Sequence, residues 1–137
     1  MLRVVADTNV YVSALNFGGV ADEVLRLARA GQLLVFVSPP ILSEIEVVLH
    51  GKFEWSAARA REATSAIRRF AEVVRPQHTV TVLEDEPDNR ILECALAAGA
   101  RVIVTGDKHL RALGAFQGIA LLSPRELLEA VAGIGEG

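Results

Sequence analysis

Short continuous apolar runs alternate along this chain with longer stretches in which apolar residues recur every three to four positions. LRVVA (2–6), LLVFV (33–37), ARVIVTG (100–106) and IALL (119–122) predict strands buried on both faces. TVTVL (79–83) alternates and predicts a short edge strand. In 18–31, Val20, Val24, Leu25, Leu27 and Ala28 fall at helical spacing and Gly31 is a stop. Ser38-Pro39-Pro40 predicts a cap and first turn of a helix running to about His50. Residues 55–74 predict one longer helix capped at Ser56, and 88–99 another, opened by Asp88 and stopped by Gly99. Ser123, Pro124 and Glu126 form a capping box that opens a helix over 123–131. Strands alternating with helices predict an α/β domain around a mainly parallel sheet. No repeat, low-complexity tract or linker interrupts the pattern, so 1–137 reads as a single domain. The loose segments are expected near 50–55 and in a flexible tail over 131–137.

Acids fall at informative places in this pattern. In open parallel sheets, ligands bind beyond the carboxyl ends of the strands. Asp7 follows the first strand, Asp107 follows the strand RVIVTG, and Asp88 opens the helix that leads into that strand. Glu44 intrudes on the apolar face formed by Ile41, Leu42, Ile45, Val48 and Leu49, whereas Glu46 borders the polar side of the same helix. Asp7, Asp88 and Asp107 can therefore converge on one sheet edge, and Glu44, near the first turns of a helix that begins at a strand's carboxyl end, is the candidate fourth acid, although helix edges often carry Glu. Crowded in this way they would repel one another. A hard dication such as Mg²⁺, which prefers oxygen ligands and is held by a few carboxylates together with substrate phosphate, relieves the crowding. One ion, or two roughly 3.5–4 Å apart, can activate water for attack on phosphorus and stabilise the leaving oxygen.

Composition changes this picture in two respects. The formal net charge of −3 argues against nonspecific phosphate binding by basic excess, so a polyanionic substrate requires local arginines or a metal ion. Cys94 is the single cysteine, which excludes an internal disulfide; it sits among Ile91, Leu92, Ala95 and Leu96 and reads as core. No apolar run is long enough to span a bilayer, and MLRVVADTNV meets a carboxylate too early for a signal peptide, so the reading is a soluble cytoplasmic domain. The histidines, His50, His78 and His109, lack zinc-type spacing, and no Ser–His–Asp, GxGxxG or P-loop pattern competes. Arg59, Arg61, Arg68 and Arg69 read either as a solvated face or as a phosphate- or partner-facing patch. Lys108 and His109 stand beside Asp107, and Phe53 and Trp55 read as anchors of a helix junction.

VVADTNVYVSAL, SPPILSEIEVVL, DNRILECALAAGA and VIVTGDKHL, in that order, resemble the four acid-bearing motifs of PIN domains, in particular the small prokaryotic VapC-like toxins of toxin–antitoxin pairs. The resemblance covers almost the whole chain. It implies a three-layer α/β/α sandwich and Mg²⁺- or Mn²⁺-dependent endoribonuclease activity. It implies that Asp7, Glu44, Asp88 and Asp107 form the acidic metal pocket, with Asn9 and Thr105 as supporting polar residues. It also implies an RNA substrate, a homodimer and inhibition by an antitoxin protein. Asp85, in LEDEPDNR, is the alternative third acid. Two other functions stay open on sequence alone: a noncatalytic PIN-like RNA- or protein-binding module, and an RNA-processing nuclease that is not a toxin.

Overall fold

The strand β1 (Arg3–Ala6) occupies the middle of the sheet, and Val4, Val5 and Ala6 are each fully buried. In the computed structural model, which describes residues 1–136, β1 is followed by α1 (Thr8–Phe17), α2 (Gly19–Arg29), β2 (Leu34–Val37), α3 (Pro39–Phe53) and α4 (Ala57–Phe70). Then come β3 (Ala71–Val73), α5 (Glu86–Ala98), β4 (Val102–Val104), the short α6 (Lys108–Arg111), β5 (Ala115–Phe116), β6 (Ile119–Leu122) and α7 (Pro124–Glu136). The six strands form one sheet in the order β3-β2-β1-β4-β6-β5. All neighbours are parallel except the hairpin pair β5–β6. Helices flank the sheet, giving the α/β/α architecture expected from the sequence.

The chain leaves β1 toward β2 on one side, while β4 pairs with β1 on the other, in register Val4↔Val102 through Ala6↔Val104. A crevice therefore opens at the carboxyl ends of β1 and β4, where strand order reverses. Asp7 is locked there, its backbone N–H donating to the Val104 carbonyl at 3.0 Å.

Several elements differ from the sequence expectation, each for a physical reason. Helix α1 is an element the apolar pattern leaves unassigned, and Asp7 starts it as N-cap. A turn in which Gly18 and Gly19 both take positive φ, a region closed to most side chains, separates it from α2. The stretch 55–74 is not one helix: α4, capped by Ser56 as expected, ends at Phe70, and Ala71–Val73 pairs in parallel with Val35–Val37. Pairing with a strand some 35 positions earlier overrides local helix propensity. Residues 79–83 are not a strand, because α5 side chains satisfy their backbone. Val80 N–H donates to Glu93 Oε2 at 2.8 Å, and the Asn89 amide both accepts from Leu83 N–H and donates to its carbonyl.

Helix α3 runs through Phe53, past the expected stop at His50. There the Phe53 ring meets Phe17 edge-on, and Trp55 Nε1 donates to Asn16 while Arg59 stacks on its ring, so the segment expected to be loose is a packed junction. Helix α7 opens with the predicted Ser123–Glu126 capping box. It covers 131–136 of the expected flexible tail, with Leu127 buried and Leu128 and Val131 packed on the core; Gly137 lies outside the described residues. Among the described residues no helix is long and apolar enough to cross a membrane.

Candidate metal centre

Four elements deliver acids to the crevice, each by local rules visible in the chain. Asp7 stands between β1 and α1, and its Oδ1 accepts the Val10 amide at 3.0 Å as a helix cap. Asp107 caps α6 after β4, its Oδ1 accepting the amides of His109 at 2.7 Å and Leu110 at 3.2 Å. Glu44 projects from the second turn of α3. At α5 the cap is Asp85, whose Oδ1 accepts the Asp88 amide at 3.2 Å, so Asp88 lies inside the first turn and is not the cap that its position at the start of the apolar pattern predicts.

These side chains share one cavity of ≈130 Å³. Asp7, Asn9, Glu44, Asp85, Asp88 and Asp107 line it together with Thr8, Pro87 and Ile91. The six of these that sequence singles out are therefore brought together. Thr105 lies beneath them: its buried hydroxyl donates to Asp7 Oδ2 and accepts the Asp107 amide at 2.9 Å, coupling the first and last acids through one side chain. Asn9 is exposed on the rim and faces Asp7 through its backbone amide, so the side-chain support of Asp7 comes from Thr105.

Glu84 and His109 border an adjoining hollow shared with Asp85, Asp88 and Asp107. Sequence reasoning missed Thr8 as a cavity residue, although its place directly after a strand-end acid was the available signal. It also missed Pro87 and Ile91, which reach the cavity because α5 begins two residues before Asp88.

The electrostatics follow from burial and crowding. Burial pushes the Asp7 carboxyl up to about 6, and the charge of Asp107 adds to this, against the lowering hydrogen bonds from Thr105 and Val10. Asp7 is 4% exposed. Asp88 is also pushed up to about 6, by partial burial first and then by the charges of Asp85, Asp107 and Asp7, while His109 opposes the rise. The donor set suits a hard cation. The cavity lining offers carboxylate and amide oxygens and includes no histidine or cysteine. As the side chains stand, no three such groups among the described residues are gathered at ligating distance.

A pH dependence of stability follows. The unfolded chain releases the Asp7 proton near 3.8 and the folded chain near 6. As pH rises between these values the unfolded state binds fewer protons, so stability falls from about pH 4 to about pH 6 and then levels. A displacement of about two pK units corresponds to about 3 kcal/mol as a ceiling. Asp88 adds less because solvent screens it. Urea melts of the metal-free protein at pH 4.5 and pH 7, each referred to Asp7→Asn, measure this; a wild-type difference that grows more favourable toward pH 7 contradicts it.

A family model described as PIN domain matches residues 3–109. An uncharacterised protein of Methanocaldococcus jannaschii is 32% identical over 117 residues, covering 82% of this chain and 75% of its own length. Among solved structures, VapBC2 from Rickettsia felis bound to a promoter DNA fragment superposes with a TM-score of 0.65 at 15% identity, over 88% of this chain and 97% of that one. Mycobacterium tuberculosis VapC20, described as a sarcin-ricin loop cleaving toxin, superposes with a TM-score of 0.59 at 19% identity, over 85% of this chain and 98% of that one. At these identities the structural likeness establishes the fold.

Proposed function

The chain belongs to the PIN-domain family, and from that premise we propose that it is a metal-dependent endoribonuclease, the toxin of a toxin–antitoxin pair. The observation that carries this reading is the single cavity at the strand-order reversal into which Asp7, Glu44, Asp88 and Asp107 all project. A carboxylate cup on a chain of net charge −3 has no independent means of attracting a phosphodiester. Filled by a dication it does. Asp7, Glu44, Asp88 and Asp107 would hold Mg²⁺ or Mn²⁺, with Asp85 as the alternative to Asp88. When bound, such an ion supplies activation of water for attack on phosphorus and neutralisation of the leaving oxygen.

The chain's own residues do the rest. Thr105 orients the Asp7 carboxylate. The Asp107 side chain is fixed by the α6 amides, leaving its second oxygen for the site. Besides the hollow at Glu84 and His109, two more adjoin the acidic cavity. One is lined by Ser13, Ala21 and Pro124 and shares Asn9 and Asp107. The other is lined by Pro40, Ile41 and Arg90 and shares Thr8, Glu44 and Pro87. A polymer can therefore lie across the acids with chain on both sides, which favours internal over terminal cleavage.

The toxin role, an RNA target, a homodimer, an antitoxin partner and a cytoplasmic setting belong to the same reading, supported by the likeness to VapBC2 and VapC20. The test is incubation of purified protein with end-labelled RNA. Internal cuts are expected with Mg²⁺ or Mn²⁺, lost with EDTA and restored by excess metal. Cleavage that persists in EDTA refutes the metal dependence, release of terminal nucleotides alone refutes the endonucleolytic mode, and no cleavage at all with either metal refutes the nuclease reading. Growth of the host unaffected by expression refutes the toxin role.

A further inference from the structure

A cation in the acid cup offsets charge at the reacting phosphate, but an RNA strand carries further phosphates on either side of the cut, and the same carboxylates repel each of them. Carboxylates line the acidic cavity and each of the three hollows that adjoin it. Among the residues lining these four spaces, Arg90 is the one arginine or lysine. It stands in the ≈150 Å³ hollow that shares Thr8, Glu44 and Pro87 with the acidic cavity. It follows Asp88 by two residues on α5.

The Arg90 guanidinium is held firmly at one nitrogen and loosely at another. Nη2 lies 3.0 Å from Glu93 Oε2 and donates to the Val80 carbonyl at 3.3 Å. Glu93 is buried, and the same oxygen accepts the Val80 amide at 2.8 Å, so this end is tied to the fold. Nη1 donates to Glu86 across a long 3.4 Å, and the Glu86 side chain is 75% exposed. An exposed pair of that length contributes little to stability and yields readily to another anion. Pairing with Glu93 occupies Nη2 alone, whereas Glu86, the partner of Nη1, lines the same hollow as Arg90. A guanidinium fixed through one nitrogen and weakly engaged at the next is preorganised to receive a phosphate oxygen.

We infer that Arg90 is a substrate-binding residue that contacts the phosphate next along the strand from the one being cut, on the Glu44 side of the acids. The inference rests on the chain being an RNA nuclease, and it adds where the flanking strand is held. A contact at an unreacting phosphate is made equally before and during the reaction, so its loss raises KM and spares kcat.

The experiment is steady-state cleavage, with Mn²⁺, of a short RNA that the wild type cuts at one position. It is repeated on versions of that RNA in which one flanking phosphate at a time is an uncharged methylphosphonate. For the wild type, one flanking position is expected at which methylphosphonate raises KM about tenfold and leaves kcat within about twofold. Arg90→Gln is expected to raise KM about tenfold on the unmodified RNA and to ignore methylphosphonate at that position, because both changes remove one contact. Arg90→Lys keeps a charge against Glu93 and carries the comparison should Arg90→Gln not fold; its methylphosphonate penalty is expected to fall to about threefold. Calorimetric titration of Mn²⁺ is expected to give both variants the wild-type affinity or tighter, since a cation site is not weakened by removing a neighbouring cation. Wild-type KM in both variants, methylphosphonate penalties that persist in full, or weakened Mn²⁺ binding overturns the inference and makes Arg90 a structural partner of Glu93, with the nuclease reading left standing. A wild type that cuts no RNA overturns both.

Discussion

Asp7→Asn is expected to lower the RNA cleavage rate by ~10³-fold or more, about 4 kcal/mol of transition-state stabilisation, while making the metal-free protein more stable. The two effects have one cause. Asp7 is buried, and its carboxyl is pushed up to about 6, so at neutral pH the fold holds a charge that water would hold at lower free energy. Asparagine keeps the shape, and its oxygen still caps α1 at Val10. Its amide group can donate to Thr105, whose hydroxyl reorients. Removing the charge should then contribute about 2 kcal/mol at pH 7, or roughly 7 °C in melting temperature for a chain of this size.

Cation should invert the ranking: millimolar Mn²⁺ raises the wild-type melting temperature and leaves the variant nearly unmoved. Paired activity assays and thermal melts measure both halves. An Asp7→Asn protein that cleaves normally, or one that melts lower without metal and gains as much from Mn²⁺ as wild type, would show that Asp7 is an ordinary helix cap.

Asp88→Asn and Asp85→Asn are expected to separate by ~10²-fold in activity, about 2.7 kcal/mol, with Asp88→Asn the inactive one. Asp85 is exposed and spends one oxygen on the α5 cap. Asparagine caps a helix as well as aspartate does, so Asp85→Asn should leave stability unchanged and activity within about threefold. Asp88 is half-buried and feels the charges of Asp85, Asp107 and Asp7, the condition of a carboxylate aimed at a shared charge site. The reverse ranking in the same cleavage assay moves the third acid to Asp85.

The legible parts of the fold were those in which local chemistry and burial agree. The runs around Val4, Val35, Ile103 and Leu121 are apolar on both faces because helices cover both, and each is a strand of the central sheet. Ser56 caps its helix, and Ser123 with Glu126 forms the predicted box, since capping is settled within four residues. Elements whose identity depends on distant partners were misread. Ala71–Val73 continues a helical pattern and turns to strand only because the edge of β2 is open to it. The segment 79–83 alternates like a strand, but Asn89 and Glu93 on α5 take its backbone groups. The hairpin strand β5 is two residues long, below what periodicity can register.

The order of residues fixes which element each acid belongs to, and the chemistry of those termini follows: a carboxylate after a β-branched run or at a helix start caps what comes next. That is short-range physics: it put Asp7 and Asp107 directly after strands, where the structure has them, while assigning the α5 cap to the wrong member of the Asp85–Asp88 pair. Convergence is a different matter. Asp7 and Asp107 share Thr105 because β1 pairs with β4 across about a hundred intervening residues, and Glu44 reaches the same cavity because α3 packs between α1 and α5. The raised carboxyls likewise arise only once the layers close, since desolvation and Coulomb repulsion depend on distance in space and on the water excluded, neither of which is a property of position along the chain.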